Sequence, residues 1–379
     1  MRILLRYNGV TEKPKVSRLT IKLITNMKSI HNVLIISLLF AFLLNGCYVQ
    51  QSVYTYTAPY TPEESGLGIT KITDDNIDVI GSKITYGIPQ TSRQWVGGLL
   101  FGSYQNVTNY KNPDKVFHHH LRMLAISPDG KDLAFISEIN EQFVACTRKL
   151  EQGNQITQRT FRPTLTLSWG SDDKIYFADD SYKDRRPICS VNSRSGSIMK
   201  QHTNSNSDKN PILSKDGKKL FFERVDNNGE SSIWCYDLQT SSLMLCCSGA
   251  CPYPIDKEGK KLLCCRAENN NYAIWIVDYE KGEESILLSS PEQSFTSPVL
   301  SPDGKWVVFE GNVYSPLSQK DQLDIYCVKM DGSNLTQLTS HPYNDFSPVW
   351  SADGKQIYFI SERASSDKTF GVWRMNFKL

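Results

Sequence analysis

The sequence predicts an all-β fold of repeated four-stranded antiparallel units, and three observations carry that prediction. A five-residue turn recurs down the chain, apolar runs that read as buried strands flank each copy, and the copies return at roughly 42 to 50 residues, the period of propeller blades. The clear turns are Ser127-Pro128-Asp129-Gly130-Lys131, Ser214-Lys215-Asp216-Gly217-Lys218, Ser301-Pro302-Asp303-Gly304-Lys305 and Ser351-Ala352-Asp353-Gly354-Lys355. Two are degenerate: Asp256-Lys257-Glu258-Gly259-Lys260, and Gly170-Ser171-Asp172-Asp173-Lys174 after Trp169.

In the copies with Pro128 and Pro302, Pro presets the first central turn position, and in the four clear copies Asp caps the turn with its side chain and Gly takes the positive-φ position. The runs on either side, such as Pro298-Val299-Leu300 and Trp306-Val307-Val308-Phe309, then form a hairpin. A third strand follows: Ile233 to Leu238, Ile274 to Tyr279, Ile325 to Met330 and Val372 to Met375 align with one another. A turn such as Asp331-Gly332-Ser333-Asn334 leads into a short outer strand, Leu335 to Thr339.

The turns from Asp129 to Asp353 count six blades over residues 121–379. The last blade ends with its third strand, so its outer strand comes from upstream, and the expected place is Gln105 to Phe117. Such closure removes the exposed sheet edge. Residues 67–120 are divergent strands; Ile77 to Tyr86 as a hairpin and Trp95 to Tyr104 as a third strand would make a seventh blade the alternative.

The repeat, with Pro-Val-x-Ser before it in Pro298 to Ser301 and Pro348 to Ser351, resembles the TolB-type propeller repeat, also found in prolyl-oligopeptidase relatives and bacterial envelope proteins. The resemblance covers about two thirds of the chain and is specific for architecture rather than function. TolB proteins carry an α/β domain before the propeller, and residues 67–120 are too short and too poor in helical periodicity to match it.

Residues 1–46 read as an export signal. Val33 to Leu44 is apolar apart from Ser37, follows Lys28, and is too short to span a bilayer. Leu44-Asn45-Gly46-Cys47 resembles a bacterial lipobox, which implies lipidation of Cys47; Met27 is the alternative start. Residues 47–66, rich in Gln, Ser, Tyr, Thr and Pro, read as an extended tether. Tyr48 rather than Asp follows the lipidated Cys, which in enteric bacteria implies outer-membrane sorting, and the expected location is the outer membrane facing the periplasm. Of 42 Lys and Arg and 40 Asp and Glu, residues 1–46 hold seven and one, leaving 35 against 39. A slightly acidic body without a basic stripe has no footprint for nucleic acid.

Cysteine and histidine are the candidate chemistry. Cys146, Cys189, Cys235 and Cys327 occupy matching third-strand places on different blades, too far apart to bridge, and read as buried core thiols. Cys246, Cys247, Cys251, Cys264 and Cys265 cluster where two blades meet; adjacent cysteines on a strand face opposite ways, so core thiols or one local disulfide are expected rather than a metal site. His118, His119 and His120 likewise diverge, and His202 and His341 lie in or just after outer strands, whereas a manganese-binding propeller lyase needs imidazoles converging on the channel. No Gly-x-Ser-x-Gly, phosphate loop or His-Glu-x-x-His occurs, and Asp172-Asp173 and Asp179-Asp180 lack the pattern of a calcium loop. No cofactor or metal is expected.

What remains is a surface. Loops from each outer strand to the next inner strand converge on one face and supply His119, Arg122, Arg162, Lys209, Tyr253, Phe295, Tyr343, Asp345 and Phe346, aromatic and basic groups of the kind protein contacts use. In TolB that face receives the peptidoglycan-associated lipoprotein, so the resemblance implies a protein partner there. The expectation is a monomeric, membrane-anchored, non-catalytic envelope module. Its alternative is a propeller enzyme, lyase or hydrolase, acting on envelope carbohydrate. On this reading Arg162→Glu with Phe346→Ala abolishes partner capture at nearly unchanged stability.

Overall fold

The computed structural model describes residues 65–73, 90–97, 102–109 and 121–378, apart from 141, 152–154, 197–198, 206, 269–270, 316–319, 342–343, 362 and 364–369. The lipobox, the tether as far as residue 64, His118 to His120 and Tyr343 lie outside the described residues.

The strands in chain order are β1 (Thr70–Lys71), β2 (Gln90–Gly97) and β3 (Gly102–Asn109), followed by the blades. Blade 1 is β4 (Leu124–Ile126), β5 (Asp132–Ile139), β6 (Gln142–Lys149) and β7 (Thr157–Gln158). Blade 2 is β8 (Thr164–Trp169), β9 (Lys174–Asp179), β10 (Ile188–Asn192) and β11 (Lys200–Gln201). Blade 3 is β12 (Asp208–Leu213), β13 (Lys219–Val225), β14 (Ser231–Asp237) and β15 (Leu243–Ser248). Blade 4 is β16 (Ala250–Pro254), β17 (Lys261–Glu268), β18 (Asn271–Asp278) and β19 (Glu283–Leu288). Blade 5 is β20 (Phe295–Leu300), β21 (Trp306–Ser315), β22 (Lys320–Lys329) and β23 (Thr336–Gln337). Blade 6 is β24 (Asp345–Trp350), β25 (Gln356–Ser361) and β26 (Gly371–Asn376), with β1 as its outer strand. The protein is thus a six-bladed propeller of four-stranded antiparallel sheets, as its repeats predict.

The recurring turn is built as expected, with one addition. Gly304 sits at φ 75° and its N–H closes the turn onto the Ser301 carbonyl at 2.9 Å. Asp303 Oδ1 accepts the Lys305 N–H at 3.1 Å, while Ser301 Oγ donates to Asp303 at 2.6 Å and accepts the Trp306 N–H at 2.9 Å. Serine is therefore the hub that ties the turn to its second strand, and Ser127, Ser214 and Ser351 repeat the arrangement. In blade 4, Asp256 takes the N–H of Lys261 instead; in blade 2, Asp173 replaces glycine at φ 61°, a conformation its short polar side chain tolerates.

Closure departs from the expected place. Thr70 pairs with Arg374 and Lys71 with Trp373, so the outer strand of blade 6 is β1 and not the stretch from Gln105 to Phe117. Two ladder positions suffice because anchors flank them: Ile69 is buried against Trp373 and Met375, Ile72 donates to the Val372 carbonyl at 2.7 Å, and Val372 donates to Thr73 Oγ1 at 3.0 Å. Trp95 and Tyr104 fall on different strands, β2 and β3, which pair as a separate two-stranded sheet, not as one strand of a seventh blade.

The apolar core lies between neighbouring blades. Tyr176, Leu213, Leu220 and Phe222 join blades 2 and 3; Leu263, Phe295, Val307 and Phe309 join blades 4 and 5. The four matched cysteines, Cys146, Cys189, Cys235 and Cys327, are buried free thiols on the third strands, as expected. The five clustered cysteines are free thiols as well.

Candidate functional site

The inner strands are not regular. Five of the six have a register shift against their second strand, and in four of these the shifted residue is left-handed: Asn210 (φ 52°), Cys251 (51°), Ser297 (54°) and Ser347 (53°), each followed by proline. Such bulges free one residue from the ladder and re-aim it. Here the freed N–H groups reach the preceding blade. Asn210 donates to Thr166 Oγ1 at 2.9 Å, Cys251 to Glu223 Oε2 at 3.2 Å, and Ser347 to Glu310 Oε1 at 2.7 Å.

The two glutamates are the centres of this girdle. Glu223 is fully buried on β13, where it also accepts from Asn210 Nδ2 at 3.0 Å and Ser231 Oγ at 2.7 Å and pairs with Lys209 Nζ at 3.1 Å. Glu310 holds the matching place on β21 and accepts from Thr296 Oγ1 at 3.1 Å. The sequence carries a signal for both: each ends an apolar run, Phe221-Phe222-Glu223 and Val308-Phe309-Glu310, at which a carboxylate must be buried.

Burial, the largest cause, raises the pKa of Glu310 from 4.5 to about 7, against the hydrogen bonds of Ser347, Thr296 and Ser297. The ionised form is the disfavoured one. The stabilisation is therefore complete below about pH 4.5 and disappears as pH rises through 7, a difference of about 3 kcal/mol at ~1.4 kcal/mol per unit. Urea midpoints measured from pH 5 to 8 should fall for the native chain relative to Glu310→Gln, whose amide oxygen still accepts from Ser347; the buried His202 and His341, whose pKa values burial lowers to about 4, act in the opposite direction and equally in both chains. An unchanged slope in the variant would assign the effect elsewhere.

Beside this girdle lies a cavity of about 310 Å³ lined by residues of all six inner strands, among them Leu124, Ser168, Ile212, Tyr253, Leu300 and Trp350, and by Arg122 just before β4. Its rim is made of turn residues, including Ser127, Pro128, Ser301, Pro302, Ser351 and Ala352, together with Lys215. It therefore sits at the hairpin-turn end of the channel, opposite the loops expected to carry the contact surface. Arg122 is 8% exposed; its backbone N–H donates to Asn210 Oδ1 at 2.9 Å, its Nη2 donates to the Pro252 carbonyl at 3.1 Å, and its guanidinium lies 5.7 Å from the centre of the Tyr253 ring. Burial lowers the Arg122 pKa and raises that of Tyr253.

The other expected surface residues are distributed differently. Lys209 is buried against Glu223, Asp345 is buried in an ion pair with Arg363, and Phe295 stacks edge-on with Phe309 at 5.3 Å. Phe346 is buried against Phe370 at 5.6 Å. Arg162 alone keeps a substantially exposed side chain, 41%, while it holds the buried Asp179 at 3.1 Å and donates to Tyr182 at 2.6 Å. His119 and Tyr343 lie outside the described residues. The expected rim patch is thus largely interior, because each buried carboxylate there draws a neighbouring cation inward and the phenylalanines fill the space between blades. Among the described residues, no group of three or more His, Cys, Asp or Glu gathers in a way that could hold a metal ion.

The six-bladed propeller fold is TolB-like, shared with solved TolB structures. The putative TolB of Agrobacterium tumefaciens superposes with a TM-score of 0.51 at 16% identity, over 68% of this chain and 90% of that one. TolB of Acinetobacter baumannii gives 0.51 at 18% over 68% and 63%, and an oligogalacturonate lyase from Vibrio parahaemolyticus gives 0.52 at 10% over 83% and 95%. At these identities the likeness shows the fold alone. By sequence, an uncharacterized protein of Agrobacterium fabrum, Atu1656, is 30% identical over 104 residues, and the Tol-Pal system protein TolB of Francisella tularensis is 27% identical over 105. These segments are 27% and 28% of this chain and only 33% and 22% of the relatives' own lengths. No family model matches the chain.

Proposed function

We propose that this chain is a lipid-anchored, non-catalytic binding module of the bacterial cell envelope, tethered through Cys47 and presenting its TolB-like propeller to an envelope partner. The observation that carries this reading is the axial cavity: Trp169, Tyr253 and Trp350 wall it and Arg122 and Lys215 supply cations, a set suited to recognition. The Tol-Pal protein TolB among its relatives supports the envelope assignment, and the apolar segment ending in Leu44-Asn45-Gly46-Cys47 supports the anchor. The outer membrane, facing the periplasm, is the proposed location, and a peptidoglycan-associated lipoprotein is the proposed partner. The chain acts as a monomer.

Affinity capture from crosslinked envelope membranes, read by mass spectrometry with Cys47→Ala alongside, tests this. The expected result is co-recovery of a peptidoglycan-binding lipoprotein with the native chain, and release of Cys47→Ala from the membrane fraction. Recovery of glycan alone would overturn it in favour of an enzyme acting on envelope carbohydrate.

A further inference from the structure

The axial cavity contains two polar groups that the fold leaves without a partner. Arg122 is an isolated charge in the run Leu121-Arg122-Met123-Leu124, and its place is fixed by backbone bonds to two other blades: its N–H to Asn210 and its carbonyl to the Leu167 N–H at 2.9 Å. Nη2 is satisfied by Pro252, but Nη1 is buried without an acceptor among the described residues. Ser168 on β8, 4% exposed, lines the same cavity and its Oγ is likewise unpartnered. A buried orphan donor costs about 1–3 kcal/mol, more when charged; Glu223 and Glu310 attract the Arg122 charge through space, and no hydrogen bond from Nη1 among the described residues accompanies that attraction.

The lining gives the chemistry of the missing acceptor. It holds two cations, Arg122 and Lys215, and no carboxylate, while Trp169, Tyr253 and Trp350 present planar apolar surface. Lys215 at the rim is exposed and makes only a long bond, 3.4 Å, to the Ile255 carbonyl. At about 30 Å³ per water-sized group, 310 Å³ accommodates about ten such groups.

We propose that the cavity binds a carboxylate carried on a small planar or apolar body. The carboxylate accepts from Arg122 Nη1 and Ser168 Oγ, Lys215 attracts it at the rim, and the tryptophans pack the body. The carboxylate comes either from a peptide C-terminus or from a free small acid. This rests on reading the channel as a recognition site; it requires neither the lipid anchor nor the envelope partner.

The test is titration of the full-length chain in detergent with N-acetyl-phenylalanine, its neutral amide, benzoate, glucuronate and inorganic phosphate, followed by tryptophan fluorescence and calorimetry. At least one acid should bind, with the amide and phosphate weaker by about tenfold or more. Tightest binding of N-acetyl-phenylalanine points to a peptide terminus, and of benzoate or glucuronate to a free acid. Arg122→Gln should lose about tenfold or more. Should that variant not fold, Lys215→Glu on the exposed rim carries the test, with binding weakened about threefold or more and its salt dependence reduced. Equal binding of acid and amide, tighter binding of phosphate, an indifferent Lys215→Glu, or no binding of any acid overturns the proposal. Each of those results leaves the outcome of envelope capture standing by itself.

Discussion

Glu223→Ala is expected to lower the stability of the propeller by about 3–5 kcal/mol, the cost of removing one partner from a buried, hydrogen-bonded ion pair. The carboxylate is fully buried and takes four donors: Lys209 Nζ, Ser231 Oγ, Asn210 Nδ2 and the backbone N–H of Cys251. Truncation strands a lysine that is itself 4% exposed, together with a strained left-handed N–H on the neighbouring blade. Glu223→Gln should cost less, since the amide oxygen can still accept from Cys251 and Asn210. The loss should appear as an earlier urea midpoint with unchanged slope. Equal stability of native chain and Glu223→Ala would mean that Lys209 finds solvent, and the girdle would then not be a structural tie.

Phe346→Ala should be as damaging, about 3–5 kcal/mol for truncating a phenylalanine in a packed core. Phe346 is 4% exposed on β24 and shares one apolar cluster with Phe370, Leu323, Val372 and Met123, so the cavity would open where blades 5, 6 and 1 meet. Arg162→Glu should cost less, about 1–3 kcal/mol: it deprives the buried Asp179 of its cation, but Ser181 N and Oγ still donate to that carboxylate. The double variant, expected from the loop pattern to lose partner capture at nearly unchanged stability, is therefore expected to lose both. Separate urea titrations of the single variants decide the point. A stable Phe346→Ala would return that residue to the candidate contact surface.

Much of the fold can be read directly from the residues. The turn glycines predict the positive φ found at Gly130, Gly217, Gly304 and Gly354, and the aligned third strands predict where four core cysteines lie. These features are local, since a turn depends on a few consecutive residues and a strand on the alternation around it. The candidate site was less legible. Arg122 and Tyr253 were found, although on the channel lining rather than a rim surface. Ser168, Trp169 and Trp350 are not legible as site residues, because nothing within a blade says which inner-strand side chain faces the axis once a bulge has turned it.

By itself, then, the sequence determines the repeat, the all-β class, the blade number and the need for an upstream strand to close the last blade. The tertiary structure alone decides that the closing strand is Thr70–Lys71 and that Asp345 answers Arg363. It alone brings Met123 to Ser347 at 2.9 Å across more than half the chain, and makes the expected rim residues interior. The reason is that partners in a closed ring are chosen by where the blades meet. Burial then fixes which charges must pair, since an unpaired charge is tolerable in water and expensive between blades.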